Sequence, residues 1–186
     1  RSLTPPVTVM VIQFSVRGNR SLPIVSVPAE QAKEQPAYLL TVRLHNQRSL
    51  RSAEQRQAIE DALAMAQEVC ALYPGLAVAV QERGLALLIS KAQTDGLTAV
   101  YASLLLQHLL REYETLGEFR CHLCHVISPK DPAEITAMAV DAIEEITNLE
   151  QNLTLASLAK AETALMTAEV FTDLDAEQRE WAQEFT

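Results

Sequence analysis

This 186-residue sequence contains no long hydrophobic run: no window approaches eighteen uninterrupted apolar residues, so the sequence predicts no transmembrane helix. It also lacks a signal-peptide arrangement at its beginning, and its three cysteines form no framework of the kind that secreted domains use. We therefore expect a cytoplasmic protein without membrane contact. The first residue is Arg rather than Met, which indicates a piece of a longer chain.

Glycine is scarce as well, with five residues in the whole chain. A loop that wraps a phosphate depends on glycine for close backbone approach, and the sequence has neither a Walker loop nor a dinucleotide-binding fingerprint. It has no nucleophile elbow either. These absences exclude the common sequence signatures of nucleotide-binding loops and of serine hydrolases.

Positive charge is in short supply and unevenly distributed. The net charge of -9 argues against nucleic acid as a partner, because duplex binding needs clustered Lys and Arg. Residues 1–56 nevertheless carry eight basic and three acidic side chains, which leaves +5 there and -14 in the rest of the chain. This basic part predicts either a solvated edge or a site for an acidic ligand. Its candidate arginines are Arg17, Arg20, Arg43, Arg48 and Arg51.

The sequence does contain a central pair of apolar runs around a polar turn, LAVAVQERGLALLIS from Leu76 to Ser90. Each run is too short for a helix, and Gly84 suits the turn between them. Because both runs are nearly continuous in apolar residues, they predict a hairpin in the middle of a sheet that helices cover.

Further strands and helices surround this hairpin. β-branched and apolar residues predict strands at Val7–Val16, Tyr38–His45 and Phe119–Ser128. The order from Tyr38 is strand, helix, strand, strand, helix, strand, helix, which is the order of a ferredoxin-like palm. The sequence thus predicts an α+β fold, an α/β sandwich with an antiparallel sheet, an extra N-terminal strand and a C-terminal helical extension. We place the palm-like domain at residues 1–148 and the extension at residues 149–186.

Three helices are predicted between and after these strands. A capping box of Ser52 and Gln55 begins the first, Thr94 or Asp95 caps the second, and Asp131 begins the third. The second helix is expected to bury a wide apolar face. That face consists of Leu97, Val100, Tyr101, Leu104, Leu105, His108 and Leu109. We expect its histidine to be a core residue rather than a ligand, because a lone imidazole lacks the partners that metal binding or proton transfer requires.

The segment Cys121-His122-Leu123-Cys124-His125 matches the C-x-x-C-H pattern of haem c attachment. In a strand, however, Cys121, Leu123 and His125 face one way, and His122 and Cys124 face the other. This alternation favours a structural strand and disfavours a disulfide or a zinc knuckle. The alternatives are haem c, or a transition metal held by His122, His125 or one of the thiols.

The order of elements and the central hairpin resemble the palm that GGDEF diguanylate cyclases share with class III nucleotide cyclases. The resemblance covers roughly Tyr38 to Ile146. It implies a metal-binding Asp in the first palm strand and carboxylates at the hairpin turn. In this sequence the strand reads LTVRLH at residues 40–45 and the turn reads QERGL at residues 81–85. Because two-metal phosphoryl chemistry needs paired carboxylates, the resemblance implies a catalytically degenerate copy.

Apolar residues at heptad spacing continue from the palm into the extension. They are Ile135, Ala139, Ala142, Ile146, Leu149, Leu153 and Ala156. One helix over residues 132–170 would be about 58 Å long at 1.5 Å per residue, which is more than the palm can cover. Either the chain breaks between Asn148 and Thr154 and folds back, with Asn152 or Thr154 as the new cap, or a helical arm pairs with a second copy. The apolar side chains of Trp181 and Phe185 favour a homodimer.

We therefore predict a non-catalytic regulatory or protein-interaction domain of a longer signalling protein. It would bind no cofactor, and its partner would be another protein or a flanking domain. The candidate ligand-binding residues are Arg43, Arg48, Glu82 and Arg83. The alternatives are a haem- or metal-binding protein that uses Cys121, His122, Cys124 and His125, and an enzyme of unrecognised type.

Overall fold

A computed structural model describes residues 7–9, 35–113, 116–128, 143, 148–161, 163–180 and 182–184. Its strands are β1 (Val7–Val9), β2 (Gln35–Leu44), β3 (Gly75–Val80), β4 (Gly84–Ser90), β5 (Phe119–Ser128), β6 (Ala164–Met166) and β7 (Ala182–Glu184). Its helices are α1 (Ser52–Leu72), α2 (Gly96–Glu112), α3 (Leu149–Ala156), α4 (Ala168–Thr172) and α5 (Ala176–Arg179), and a 3-10 turn covers Gln47–Ser49. None of these helices is long and apolar enough to span a membrane.

The strands form one sheet in the order β3-β4-β2-β5-β6-β1-β7. Within it, β2 lies between β4 and β5 and pairs antiparallel with both, and β3 pairs antiparallel with β4. This is the strand order of a ferredoxin-like palm, so the predicted α+β fold is confirmed. β5 has the predicted bounds, and β2 begins three residues before the predicted Tyr38.

The sheet continues beyond the palm through parallel pairings, which makes it mixed rather than purely antiparallel. β6 pairs parallel with β5, and β1 pairs parallel with both β6 and β7. The extra N-terminal strand is thus present at Val7–Val9. The rest of the strand predicted to Val16, and the third helix predicted from Asp131, lie outside the described residues.

Helix α1 begins where the sequence predicts, but the predicted capping box of Ser52 and Gln55 is wrong. The N-cap is Arg51, whose backbone N–H donates to Glu54 Oε2 at 2.7 Å. The Gln55 side chain donates instead to the Gln47 carbonyl at 2.7 Å. The 3-10 turn before the helix brings that carbonyl within reach, and a pattern of residue types does not reveal this contact.

Helix α2 has the predicted cap and a different buried face. The Thr98 N–H donates to Asp95 Oδ1 at 2.7 Å, which confirms Asp95 as the N-cap. The buried side of the helix consists of Ala99, Val100, Ala102, Ser103, Leu106 and Leu110. Tyr101 is 44% exposed and His108 is exposed, so the prediction of a core histidine is wrong. Small side chains at three of the buried positions allow α2 to lie close to the sheet, and the bulkier leucines flank this contact.

The described residues of the C-terminal third contain the helices α3, α4 and α5 together with the strands β6 and β7, which one continuous helix would not contain. α3 starts after Asn148, which has a left-handed backbone conformation with φ of 46°. The break therefore falls where the fold-back alternative places it, although Asn152 and Thr154 lie inside the helix rather than at its cap. The chain then returns to the sheet as β6, so a continuous helix over residues 132–170 is wrong.

Helix α3 packs on its own sheet. Leu149, Leu153 and Ala156, the last three positions of the heptad pattern, are buried there. The four earlier positions of the pattern lie outside the described residues, as do Trp181 and Phe185. A homodimer through the C-terminal segment stays a prediction, and these three residues are not the surface that it would use.

Two apolar cores cover the two faces of the palm. On one face, Tyr38, Leu40 and Val42 of β2 pack with α1 and α2. On the other face, Ala37 and Leu39 pack with α3 and Ile143. Every residue of β4 is buried, as the sequence predicts, whereas β3 is mostly half-buried because it forms the edge of the sheet.

The start of β4 depends on glycine, which gives a test of the packing. A Cβ atom on Gly84 would lie 2.0 Å from the Val42 backbone carbonyl oxygen, which cannot move without disturbing β2. We expect Gly84→Ala to lower the free energy of unfolding by about 3 kcal/mol, a value typical of overpacking. Urea denaturation of the variant and the parent measures this loss.

Gly117→Ala serves as the control. The nearest atoms to a Cβ there belong to the ends of the Phe119 and Leu44 side chains, at 2.6 to 2.8 Å, and not to the backbone, so we expect a smaller loss than at Gly84. Equal losses for the two variants would contradict the close backbone approach at Gly84.

Candidate functional site

Two arginines face each other at one end of the palm. Arg43 lies at the next-to-last position of β2, and Arg120 lies at the second position of β5. The two strands pair in the register Arg43 with Arg120, so the two residues are direct cross-strand neighbours. Such neighbours have Cβ atoms about 5 Å apart and point to the same face of the sheet. We call these two residues the arginine pair.

The arginine pair lies on the face that α3 covers. Leu39 of β2 and Cys124 of β5 belong to the core under this helix, and the pleat places Arg43 and Arg120 on the same side. Both side chains are half-buried. Within the described part of the chain, neither guanidinium forms an ion pair or a hydrogen bond, so no described carboxylate neutralises these two neighbouring like charges.

The hairpin turn brings a third arginine to this end of the sheet. The Leu44 N–H donates to the Arg83 carbonyl at 2.9 Å, which places the turn beside the end of β2. The Arg83 guanidinium forms an ion pair with Glu150 in the first turn of α3. A cleft of about 500 Å³ lies at this contact, between the turn and the start of α3. Glu82, half-buried in the same turn, is not among the residues that line this cleft.

The predicted ligand-binding residues are thus only partly assembled. Arg43, Glu82 and Arg83 lie at one end of the palm, whereas Arg48 lies in the exposed 3-10 turn that follows β2. Arg120 is absent from the predicted set. Strand alternation through β5 could have placed Arg120 on the face of His122, but its position opposite Arg43 depends on a pairing between distant segments.

The CHLCH segment is divided between the two faces of the sheet. Cys121 lies in the core under α1 and α2, and Cys124 lies in the core under α3. The predicted alternation is therefore present, and two thiols on opposite faces cannot both bond one haem. Burial raises the pKa of each thiol to about 12, which disfavours the thiolate that metals bind. Cys70, Cys121 and Cys124 are free cysteines.

His122 is a buried histidine without a hydrogen-bond partner among the described residues. Its side chain is 2% exposed, and its Nδ1 atom is buried and unpaired within this part of the chain. Burial lowers the pKa of His122 to about 4, because the protonated ring would lose its hydration. His122 is therefore neutral at pH 7. Below the ordinary pKa of histidine, the unfolded chain takes up a proton at this residue that the folded chain does not, so the free energy of unfolding falls.

His125 belongs to a second polar cluster, at the opposite end of β2 from the arginine pair. Asp173, which follows α4, accepts hydrogen bonds at Oδ2 from Tyr38 Oη at 2.8 Å and from Lys91 Nζ at 2.7 Å. His125 Nε2 lies 2.7 Å from the same oxygen. The Tyr38 and His125 rings also meet edge-on, with centroids 5.0 Å apart. We call these four residues the Asp173 cluster.

The Asp173 cluster holds a carboxylate in its ionised form. Partial burial raises the pKa of Asp173. Hydrogen bonds from Lys91 and Tyr38, together with the electrostatic effects of His125 and Lys91, lower the pKa by a larger amount, so it lies below its ordinary value. Burial and the hydrogen bond to Asp173 raise the pKa of the Tyr38 hydroxyl, which stays protonated as a donor. The cluster holds the segment after α4 against the ends of β2, β4 and β5, so we interpret it as a structural clamp, a set of contacts that fixes this segment to the sheet.

Comparisons with known proteins identify the architecture. No protein-family profile and no curated protein matches the chain. Among solved structures, the guanylyl cyclase Cya2 is similar with a TM-score of 0.55 and 13% identity, over 76% of this chain and 79% of that chain. The chain has the palm fold of the class III nucleotide cyclases. The adenylyl cyclase CyaB from P. aeruginosa is also similar, with a TM-score of 0.47 and 13% identity over 75% of this chain and 79% of that chain.

The predicted resemblance is thus confirmed at the level of the fold. An identity of 13% carries no residue roles from one protein to the other.

The buried His122 generates a pH test. An unfolded histidine takes up a proton below pH 6.5, while the folded chain resists protonation down to about pH 4. The contribution of a neutral His122 to the free energy of unfolding is therefore complete above pH 6.5. It is lost as the pH falls towards 4, by roughly 3 kcal/mol at 1.36 kcal/mol per pKa unit. We expect His122→Leu to remove most of this slope in urea denaturation at several pH values. The exposed His108→Leu is the control, and an unchanged slope in His122→Leu would contradict the assignment.

The Asp173 cluster generates a second stability test. Replacing Asp173 by Asn removes the charge that Lys91 and His125 face, and we expect a loss of about 2 kcal/mol at pH 7, in the range of hydrogen bonds to charged groups. Because the folded pKa of Asp173 is lowered, this stabilisation is complete above the ordinary carboxyl pKa and is lost as the pH falls below it.

The loss for Asp173→Asn should therefore shrink at acidic pH when thermal unfolding is compared at pH 7 and pH 3. Glu60→Gln, on the exposed side of α1, is the matched control. A loss for Asp173→Asn that is equal at both pH values would show that the ion pair is not its cause.

Proposed function

We propose that this chain is a non-catalytic regulatory or protein-interaction domain of a longer signalling protein. The observation that carries the proposal is the arginine pair, Arg43 opposite Arg120, at the end of the palm. The class III resemblance implies metal-binding carboxylates in the first palm strand and the hairpin turn. In this chain, those two segments contribute Arg43 and Arg83 to that end of the sheet.

Electrostatics supports this proposal. Two-metal phosphoryl transfer depends on carboxylates that hold the cations and offset their charge. A unit positive charge about 5 Å from a guanidinium is repelled by about 3 kcal/mol at an effective dielectric constant of 20, and a divalent cation by twice that. Glu82 alone in the turn does not supply the paired carboxylates that two cations require.

An apolar groove lies on the helices that cover the opposite face of the sheet from the arginine pair. The ends of α1 and α2 border an apolar groove of about 560 Å³ that includes Met65, Leu105 and Leu109. At its rim, Leu72 and Tyr113 are each 68% exposed. Exposed apolar patches of this kind are typical of protein interaction sites, which supports the interaction role.

The CHLCH alternative finds no comparable support. Its four candidate ligands separate into Cys121 with His125 on one face and His122 with Cys124 on the other. Within the described residues, no group of three His, Cys, Asp or Glu side chains stands close enough to share a metal ion. We therefore do not propose haem or metal binding.

An assay for nucleotide turnover tests the proposal. We expect no cyclic nucleotide and no pyrophosphate when the chain is incubated with GTP or ATP and either Mg²⁺ or Mn²⁺, because the arginines repel the cations. Product analysis by chromatography measures this, with an active cyclase as the positive control.

Two variants make the assay decisive if product is found. Glu82→Ala removes the carboxylate of the turn, and Glu112→Ala removes an exposed carboxylate at the end of α2. Product that disappears in Glu82→Ala and persists in Glu112→Ala would contradict the non-catalytic role and place an active site at the turn.

A further inference from the structure

We propose that the arginine pair is a binding site for a phosphate group, held without a metal ion. This inference rests on the proposed function, because it requires that the end of the palm attracts anions instead of cations. It assigns a ligand class to Arg43 and Arg120, which lie side by side on β2 and β5.

The geometry suits a tetrahedral oxyanion. Each guanidinium is a planar fork with five N–H donors, and it can bind two oxygens of one phosphate. Direct cross-strand neighbours on one face start from Cβ atoms about 5 Å apart, so both forks can reach the same group. The two residues sit on paired strands, and β2 is also held by β4 on its other side, so their separation is fixed by the sheet.

The positive charges of Arg43 and Arg120 also favour an anionic ligand. Like charges directly opposite each other in an antiparallel pair destabilise the sheet. No described residue forms an ion pair with Arg43 or Arg120, whereas Arg83 beside them is engaged by Glu150. An anion between the two guanidiniums would remove the repulsion and supply the missing counter-charge.

A phosphate fits this charge better than a carboxylate does. A phosphate monoester carries close to two negative charges at pH 7, which matches two guanidiniums, whereas one carboxylate leaves one positive charge uncompensated. Arginine is also preferred over lysine where planar, bidentate recognition of phosphate is required. The chemistry is shared by free nucleotides and by phosphorylated side chains, and the experiment separates these sources.

Thermal unfolding in inorganic phosphate, compared with sodium chloride at matched ionic strength and pH 7.5, is the primary test. We expect phosphate to raise the melting temperature of the parent chain. In Arg43→Met and Arg120→Met we expect this rise to be lost, with phosphate affinity at least tenfold weaker by calorimetry. In chloride alone each of the two variants should melt higher than the parent chain, because the like-charge repulsion is gone.

Two further variants serve as controls, one for the position of the arginine and one for the shape of its guanidinium group. Arg48→Met removes an exposed arginine from the neighbouring 3-10 turn and should keep the full phosphate response. Arg43→Lys keeps the charge and loses the fork, and it should fold and bind phosphate more weakly than the parent. The proposal is overturned if phosphate gives the parent no more stability than chloride, or if the response persists in both methionine variants.

Adenosine monophosphate and phosphoserine, each added without metal, then identify the source of the phosphate. A stronger response to either one than to inorganic phosphate supports the site and names its ligand class. Failure of this inference is separable from failure of the proposed function: turnover of GTP or ATP would refute the non-catalytic role, whereas absence of any phosphate response without turnover would refute the site alone.

Discussion

The register of β2 between its two neighbours is the constraint on which the rest of the structure depends. This strand hydrogen-bonds to β4 on one edge and to β5 on the other over nearly its whole length. Both of its faces are covered, with Tyr38, Leu40 and Val42 under α1 and α2 and Leu39 under α3. A slip by one residue would exchange the two faces and bury Arg43 among apolar side chains, so packing on both sides fixes a single register.

The same register creates two polar regions with opposite electrostatic character. At one end of the β2 and β5 pair, His125 lies opposite Tyr38, and the donors there converge on the Asp173 carboxylate. At the other end, Arg43 lies opposite Arg120 without a described counter-charge. A compensated cluster is what a structural clamp requires, whereas an uncompensated pair of cations at a strand end is suited to a ligand.

The palm fold by itself does not decide between catalysis and regulation, because folds of this kind host sites and do not define them. Two-metal catalysis would require paired carboxylates to hold the cations. The end of β2 and the hairpin turn carry arginines. Arg43 and Arg83 stand in those segments, and Arg83 is tied to Glu150 of α3. Helix α3 is also fixed to the sheet where Thr41 Oγ1 donates to the Asn152 carbonyl at 3.1 Å. The resulting end of the palm is basic and braced by its own C-terminal segment.

The sequence by itself determined the features that depend on local periodicity and local hydrogen bonds: the order of the palm elements from β2 to β5, the bounds of β5, a helix cap at Thr94 or Asp95, and the division of CHLCH between two faces. Only the tertiary structure decided which face of α2 is buried, that the C-terminal segment returns to the sheet, and that Arg120 meets Arg43. It also brought Asp173 to Tyr38, which is 135 residues away along the chain. Such contacts depend on strand register and on side-chain packing between distant segments. Because each contact depends on both segments together, the residue pattern of either segment alone does not predict it.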